Sequence, residues 1–299
     1  MSLTSFLRQP EVKERFRREF NVPKLTAKKE IIAPPKSNRY ALVGTAFDYL
    51  LRFHLQRLNP NAIRWQWVAE YAIQILEERD AVFSYDIDTE ELSVGRDNSA
   101  MLGSANPAIL ATARRVFNQA WIEHERFLSL GKLTDGLISS TIHLAQLDVV
   151  CRAGYVDENL GTAFKEDIED LRNLVSIVPP ELFRTTNPCL LNPDFGEASA
   201  LIKGADADLL IDDMLIDIKT TKDFGLRSDN FYQLLGYYTL HNIGGIGGII
   251  PKAEITKVAI YFSRHAHLES FELSQFINVE TFPSFVRWFS DSAENNIQI

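Results

Sequence analysis

The stretch at residues 204–222, GADADLLIDDMLIDIKTTK, constrains the chain more than any other. Leu209, Ile211, Leu215 and Ile216 flank Asp212-Asp213 in the pattern of a buried hairpin with a tight turn, its strands expected over 205–211 and 214–219. Asp208, Asp217 and Lys219 interrupt that apolar pattern. An unpaired charge in a buried strand is costly, so these three must be paired or used. Asp217 and Lys219 are two apart and share a strand face, and Asp208 on the neighbouring strand can meet them across the hairpin. Two carboxylates and an ammonium at one point suit a divalent metal ion and a polarised water. Solvated strand charges are the plain alternative.

With 299 residues, 45% hydrophobic and 24% charged, the chain can bury one large core or two smaller ones. Cys151 and Cys189 are its two cysteines, too few for a disulfide framework, a four-cysteine cluster or a structural zinc. Residues 1–10 lack the apolar core of a secretory signal, and no run of about 18 apolar residues occurs, so a cytoplasmic protein without a membrane partner is expected. The net charge is −9, but residues 1–40 hold ten Lys and Arg against four Glu, a balance of +6, which leaves −15 on the rest. A basic arm over 1–38 on an acidic body is the expected organisation. Such an arm can bind phosphates by charge or remain a solvated tail.

Helical periodicity is expected over 39–56, 61–78, 107–130, 134–153 and 166–177, with 85–106 a loop. Residues 60–180 then form a large helical insertion within a single domain at 39–299, a surface that can take a protein partner. Glu123, His124 and Glu125 are consecutive and point around their helix, so they are expected at the surface. After the hairpin, a helix from Ser228-Asp229 to His241 carries Gln233 and Tyr237 on one face. Strands are expected at 256–262 and 268–273, with His265 and His267 facing solvent between them, and a last helix at 280–295.

Four local matches make the chain similar to the PD-(D/E)xK nuclease superfamily, in particular its RecB-like branch with the CRISPR-associated exonucleases. GADAD at 204–208 resembles the family's Gly-x-x-Asp strand, with the glycine one residue further from Asp208. DIKTT at 217–221 resembles its Asp/Glu-x-Lys-Thr strand, and Gln233-x-x-x-Tyr237 its Gln-x-x-x-Tyr helix. GTAFDYLLRF at 44–53 resembles the N-terminal helix motif, with Asp48 where the branch usually has His or Glu. The matches cover 39–56 and 187–262, and the cysteines of the iron–sulfur members are missing.

The resemblance implies an α/β fold with a restriction-endonuclease-like αβββαβ core. It also implies a Mg²⁺- or Mn²⁺-dependent nuclease that hydrolyses phosphodiester bonds, with DNA the expected polymer. Asp208, Asp217, Asp48 and the Ile218 carbonyl would hold the metal, and Lys219 would act on the attacking water. Gln233, Tyr237 and Thr220 would hold substrate or its water network. Asp194, Asp206 and Glu197 are the other acids that can complete the set, and Pro193-Asp194 competes with Asp208 for the first position. A catalytically inactive nucleic-acid-binding or scaffold module on the same fold is the alternative.

Overall fold

The computed structural model describes residues 2–25, 28–86, 107–202, 204–247 and 254–297. The chain divides into two compact units. Unit 1 takes Met1–Ile32, Leu58–Trp65 and Val178–Ile299; unit 2 takes Ala33–Arg57 and Gln66–Ile177.

Unit 1 is built on one six-stranded mixed sheet whose spatial order follows the chain. Its strands are β1 (Ile63–Arg64), β2 (Cys189–Leu191), β3 (Leu209–Ile211), β4 (Met214–Lys219), β5 (Lys257–Phe262) and β6 (His267–Glu272). β1 runs parallel to β2; β2, β3 and β4 alternate antiparallel; β4 and β5 are parallel; β6 returns antiparallel. The hairpin turn falls at Asp212-Asp213, with Asp212 at φ 56, a left-handed conformation that Asp tolerates better than most residues. A parallel β4–β5 pair demands a crossover, and α9 (Ser228–Gly244) provides it.

One sheet face is covered by α1 (Leu3–Leu7), α2 (Pro10–Glu19), α9 and α10 (Phe282–Ile297). Leu190, Leu210, Leu215, Val258, Ile260 and Phe262 project into that core. Aromatic packing closes it: Phe16 lies 5.0 Å from Phe285 and 5.6 Å from Tyr232, and Phe6 lies 5.1 Å from Phe289. The segment expected as a basic arm therefore has an apolar side, with Leu3, Phe6, Leu7, Val12, Phe16 and Phe20 all buried. Pro10 opens α2, since its missing N–H costs nothing at a first helical position.

Unit 2 is helical: α3 (Tyr40–Leu58, but for its last residue), α4 (Val68–Asp86), α5 (Pro107–Leu130), α6 (Asp135–Ala153) and α7 (Lys165–Ser176). Thr134 caps α6 by accepting the Leu137 N–H at 3.0 Å, and Gly154 ends it at φ 75. This unit includes most of the expected insertion and also α3, which was expected beside the hairpin.

Several elements differ from expectation. The helix expected from residue 61 begins at Val68, because Ile63 and Arg64 pair with Leu190 and Leu191 as β1. Of the loop expected at 85–106, residues 87–106 lie outside the described residues, and 85–86 belong to α4. Glu123 and His124 are buried rather than at the surface. The Glu123 carboxylate accepts from Gln119, Arg126 and Thr134, which offsets its desolvation. His265 is buried too, in a 3-10 turn beside Phe224 and Phe262. Among the described residues no helix is long and apolar enough to cross a membrane.

Candidate functional site

Period-two alternation sets the site. In the β3–β4 register Leu209 faces Ile216 and Leu210 faces Leu215, so continuing one step brings Asp208 opposite Asp217. Asp208, Leu210, Leu215, Asp217 and Lys219 then share the face beneath α9. The apolar members fill the core, and the charged ones cluster where the strands leave it. Asp208 is held locally: its Oδ2 accepts the Ile218 N–H at 2.5 Å, while its carbonyl accepts the Asn192 N–H at 2.9 Å.

Asp217 is 2% exposed, and Lys219 Nζ stands 2.7 Å from its Oδ2. The contact is a buried ion pair at charge-assisted hydrogen-bond distance, and the ammonium is the partner of Asp217 Oδ2. Lys219 Nζ also donates to Gln233 Oε1 at 3.1 Å, and Gln233 Nε2 donates to the Tyr237 hydroxyl at 2.8 Å. One turn of α9 separates Gln233 from Tyr237, so the helix presents both to the strand pair. Thr220 accepts a hydrogen bond from Ser263 at 2.9 Å, a partner at the end of β5 that no motif in the sequence singles out.

Burial pushes the Asp217 carboxyl up, and the Lys219 ammonium pulls against that shift. For Lys219 burial acts downward, but Asp217 and then Asp208 outweigh it and raise the pKa. The ammonium therefore holds its proton at neutral pH. Tyr237 is raised well above its ordinary value, first by burial and then by Asp217, Asp208 and Asp206, so its phenol stays protonated.

Asp206 is half-buried and forms an isolated antiparallel bridge with Asp194. Asp194 Oδ1 accepts the Gly196 N–H at 2.9 Å, and a Cβ on Gly247 would lie 1.8 Å from the same oxygen. Asp194 is thus used in shaping a turn, whereas Asp208 and Asp217 face each other. Glu197 is exposed at the start of α8 (Glu197–Ala200). Asp48 belongs to unit 2, on α3, where its Oδ2 lies 2.5 Å from an Arg52 nitrogen. Arg52 also stacks over Tyr49 at 4.5 Å.

The donor set offered by Asp208, Asp217 and the Ile218 carbonyl is all oxygen, as Mg²⁺ and Mn²⁺ prefer. Asp217 Oδ2, buried and met by the Lys219 ammonium, is the oxygen that such an ion would share. Among the described residues no three His, Cys, Asp or Glu side chains are gathered closely enough to form a complete protein cage. Mg²⁺ needs none, because it keeps several waters and binds through one or two carboxylates. Comparison with protein-family models, curated proteins and solved structures gives no match for this chain.

Proposed function

We propose that the chain is a metal-dependent nuclease that hydrolyses phosphodiester bonds of nucleic acid, with DNA the expected polymer. One observation carries the reading: Asp217, Lys219, Gln233 and Tyr237 form a polar relay at the end of a buried hairpin, with Asp208 opposite Asp217 and held by the Ile218 N–H. A buried polar set of this kind destabilises a core unless it is used. The run β2–β3–β4–α9–β5, antiparallel and then parallel across α9, supports a restriction-endonuclease-like core.

In this reading Asp208, Asp217 and the Ile218 carbonyl hold Mg²⁺ or Mn²⁺. The ion, when bound, supplies Lewis acidity at the phosphate and a more acidic attacking water. Water adds to phosphorus, one P–O ester bond breaks, and the proton from water ends on the departing alkoxide. Lys219, with its ammonium beside Asp217, serves as a fixed cation that offsets charge building on the phosphate oxygens. Gln233 holds Lys219 in place, and Tyr237 orients Gln233. A second reading, an inactive nucleic-acid-binding or scaffold module, is favoured by one observation: Asp48, the third carboxylate of the resemblance, is engaged by Arg52.

Cleavage of end-labelled single- and double-stranded DNA with Mn²⁺ or Mg²⁺, wild type beside Asp217→Ala, separates the two. The nuclease predicts metal-dependent cutting that falls by at least about 10²-fold in the variant, the scale seen when one charge-stabilising group is removed. No cutting by a folded wild type supports the module. Equal cutting by both contradicts the assigned site.

A further inference from the structure

A cleft of about 540 Å³ opens in unit 1 directly beside Lys219 and Gln233. One wall comes from α1 and its end, including Arg8, and the other from the β4–α9 connection, including Arg227. Both arginines are exposed, and neither makes an ion pair among the described residues. Two acids also line the cleft. Asp229 is neutralised by Lys13 at 2.7 Å, which leaves Asp223 as the opposing charge. Lys219 at the floor is in turn paired with Asp217, so Arg8 and Arg227 against Asp223 leave the cleft a small excess of positive charge. Leu7, Leu226 and Tyr232 give its walls apolar surface.

We propose that this cleft binds single-stranded nucleic acid, with Arg8 and Arg227 gripping backbone phosphates of the strand whose next phosphate lies at Lys219. The inference rests on the nuclease reading and adds to it the form of the substrate. The volume matches pockets that enclose a ligand of nucleotide size, and a duplex cannot be enclosed in it. Cations on two walls suit a flexible strand that passes between them, as in grooves that track a single-strand backbone. Guanidinium groups pair with phosphate oxygens through two parallel hydrogen bonds, which a lone ammonium cannot do. The cleft also gives the first helix a role, since Arg8 follows α1 directly while the apolar side of α1 is packed in the core.

The test uses the full chain in EDTA, where binding is read without cutting. Fluorescence anisotropy follows labelled oligo(dT) and a duplex of equal length. Wild type is expected to bind the single strand more tightly than the duplex. Arg8→Ala/Arg227→Ala is expected to weaken single-strand binding about ten-fold or more, since hydrogen bonds to charged groups are among the strong ones. Its salt dependence should flatten by about 1.4 in log–log slope, two phosphate contacts at about 0.7 each. Arg18→Ala/Arg287→Ala removes the same charge from exposed positions outside the cleft and should change little. Arg8→Lys/Arg227→Lys should recover part of the binding.

Unchanged binding by the double alanine variant overturns the proposal, as does an equal loss in the outlying pair or in the lysine pair. If the wild type cuts DNA while the double alanine variant binds normally, the cleft fails and the nuclease stands. If binding needs both arginines but no metal yields cutting, the nuclease fails and the cleft stands.

Discussion

At Asp148 on α6, burial outweighs every neighbouring cation and pushes the carboxyl up to about 6, against the pulls of Arg152, the Tyr49 hydroxyl and Arg52. Tyr49 donates to its Oδ1 at 2.6 Å. A raised carboxyl means that the folded state binds the proton more tightly than the unfolded chain, whose Asp titrates near about 3.9. This contribution to stability is full below that pH and is lost as pH rises through about 6. Asparagine at this position cannot titrate, yet its carbonyl can still accept from Tyr49. Relative to wild type, Asp148→Asn should therefore gain up to about 3 kcal/mol between pH 4 and pH 7, read by urea unfolding at several pH values. A constant difference across that range would remove Asp148 as the titrating group. The contrast with Asp217 is instructive. Both carboxyls are buried, but Asp217 faces an ammonium whose residue lines a cleft, whereas Asp148 sits among helices with a phenol and two arginines.

Among the elements, the hairpin was legible because its turn, its apolar alternation and its interrupting charges all occur within 16 residues of local sequence. α5, α6 and α9 were legible from periodicity, although Ser228 begins α9 rather than capping it and Arg227 caps it without a side-chain hydrogen bond. β1 was not, because two residues become a strand only by pairing with Leu190 and Leu191, more than a hundred positions away. The N-terminal half of the expected first hairpin strand was also overcalled. Asn192 at φ 59 and Pro193 interrupt the ladder, which continues only irregularly, through Asn192 N–H to the Asp208 carbonyl, Ala207 N–H to the Pro193 carbonyl and the Asp194–Asp206 bridge. Burial of His124 was hidden for a related reason, since Gln56, Phe53 and Trp67 cover it from elsewhere in the sequence; the partners of Glu123 are local, but no periodicity marks that they bury it. The basic arm was misleading at this scale, since charge frequency masked an apolar stripe. α2 buries Val12 and Phe16 while Arg17 and Arg18 stay at the surface. Phe16→Ala should thus destabilise the protein by about 3–5 kcal/mol in chemical denaturation, the cost of emptying a packed aromatic site. A dispensable tail would show a change near zero.

For the molecule as a whole, the residues that matched the family motifs divide between the two units. Asp208, Asp217, Ile218, Lys219, Thr220, Gln233 and Tyr237 all lie in unit 1, and Asp48 lies in unit 2. Sequence spacing made the first group readable because it sits on adjacent strands and one helix face. The pairing of Asp48 with Arg52 is an i,i+4 helix contact that the same sequence allows, but no pattern distinguishes it from a free ligand. Charge is divided as unevenly as the motifs. An acidic chain repels phosphate at a distance, so basic side chains placed near the site in unit 1 are what bring a polyanion in. The proposed chemistry requires Asp208 and Asp217 to form an oxygen site for a divalent ion. Titrating Mn²⁺ into the full chain and following the loss of the free-ion electron paramagnetic signal tests this without any assumption about substrate. The account predicts saturable uptake by wild type and at least about ten-fold weaker uptake by Asp217→Asn, because a charged oxygen ligand is replaced by a neutral one. No uptake by the folded wild type, or equal uptake by both proteins, would contradict it.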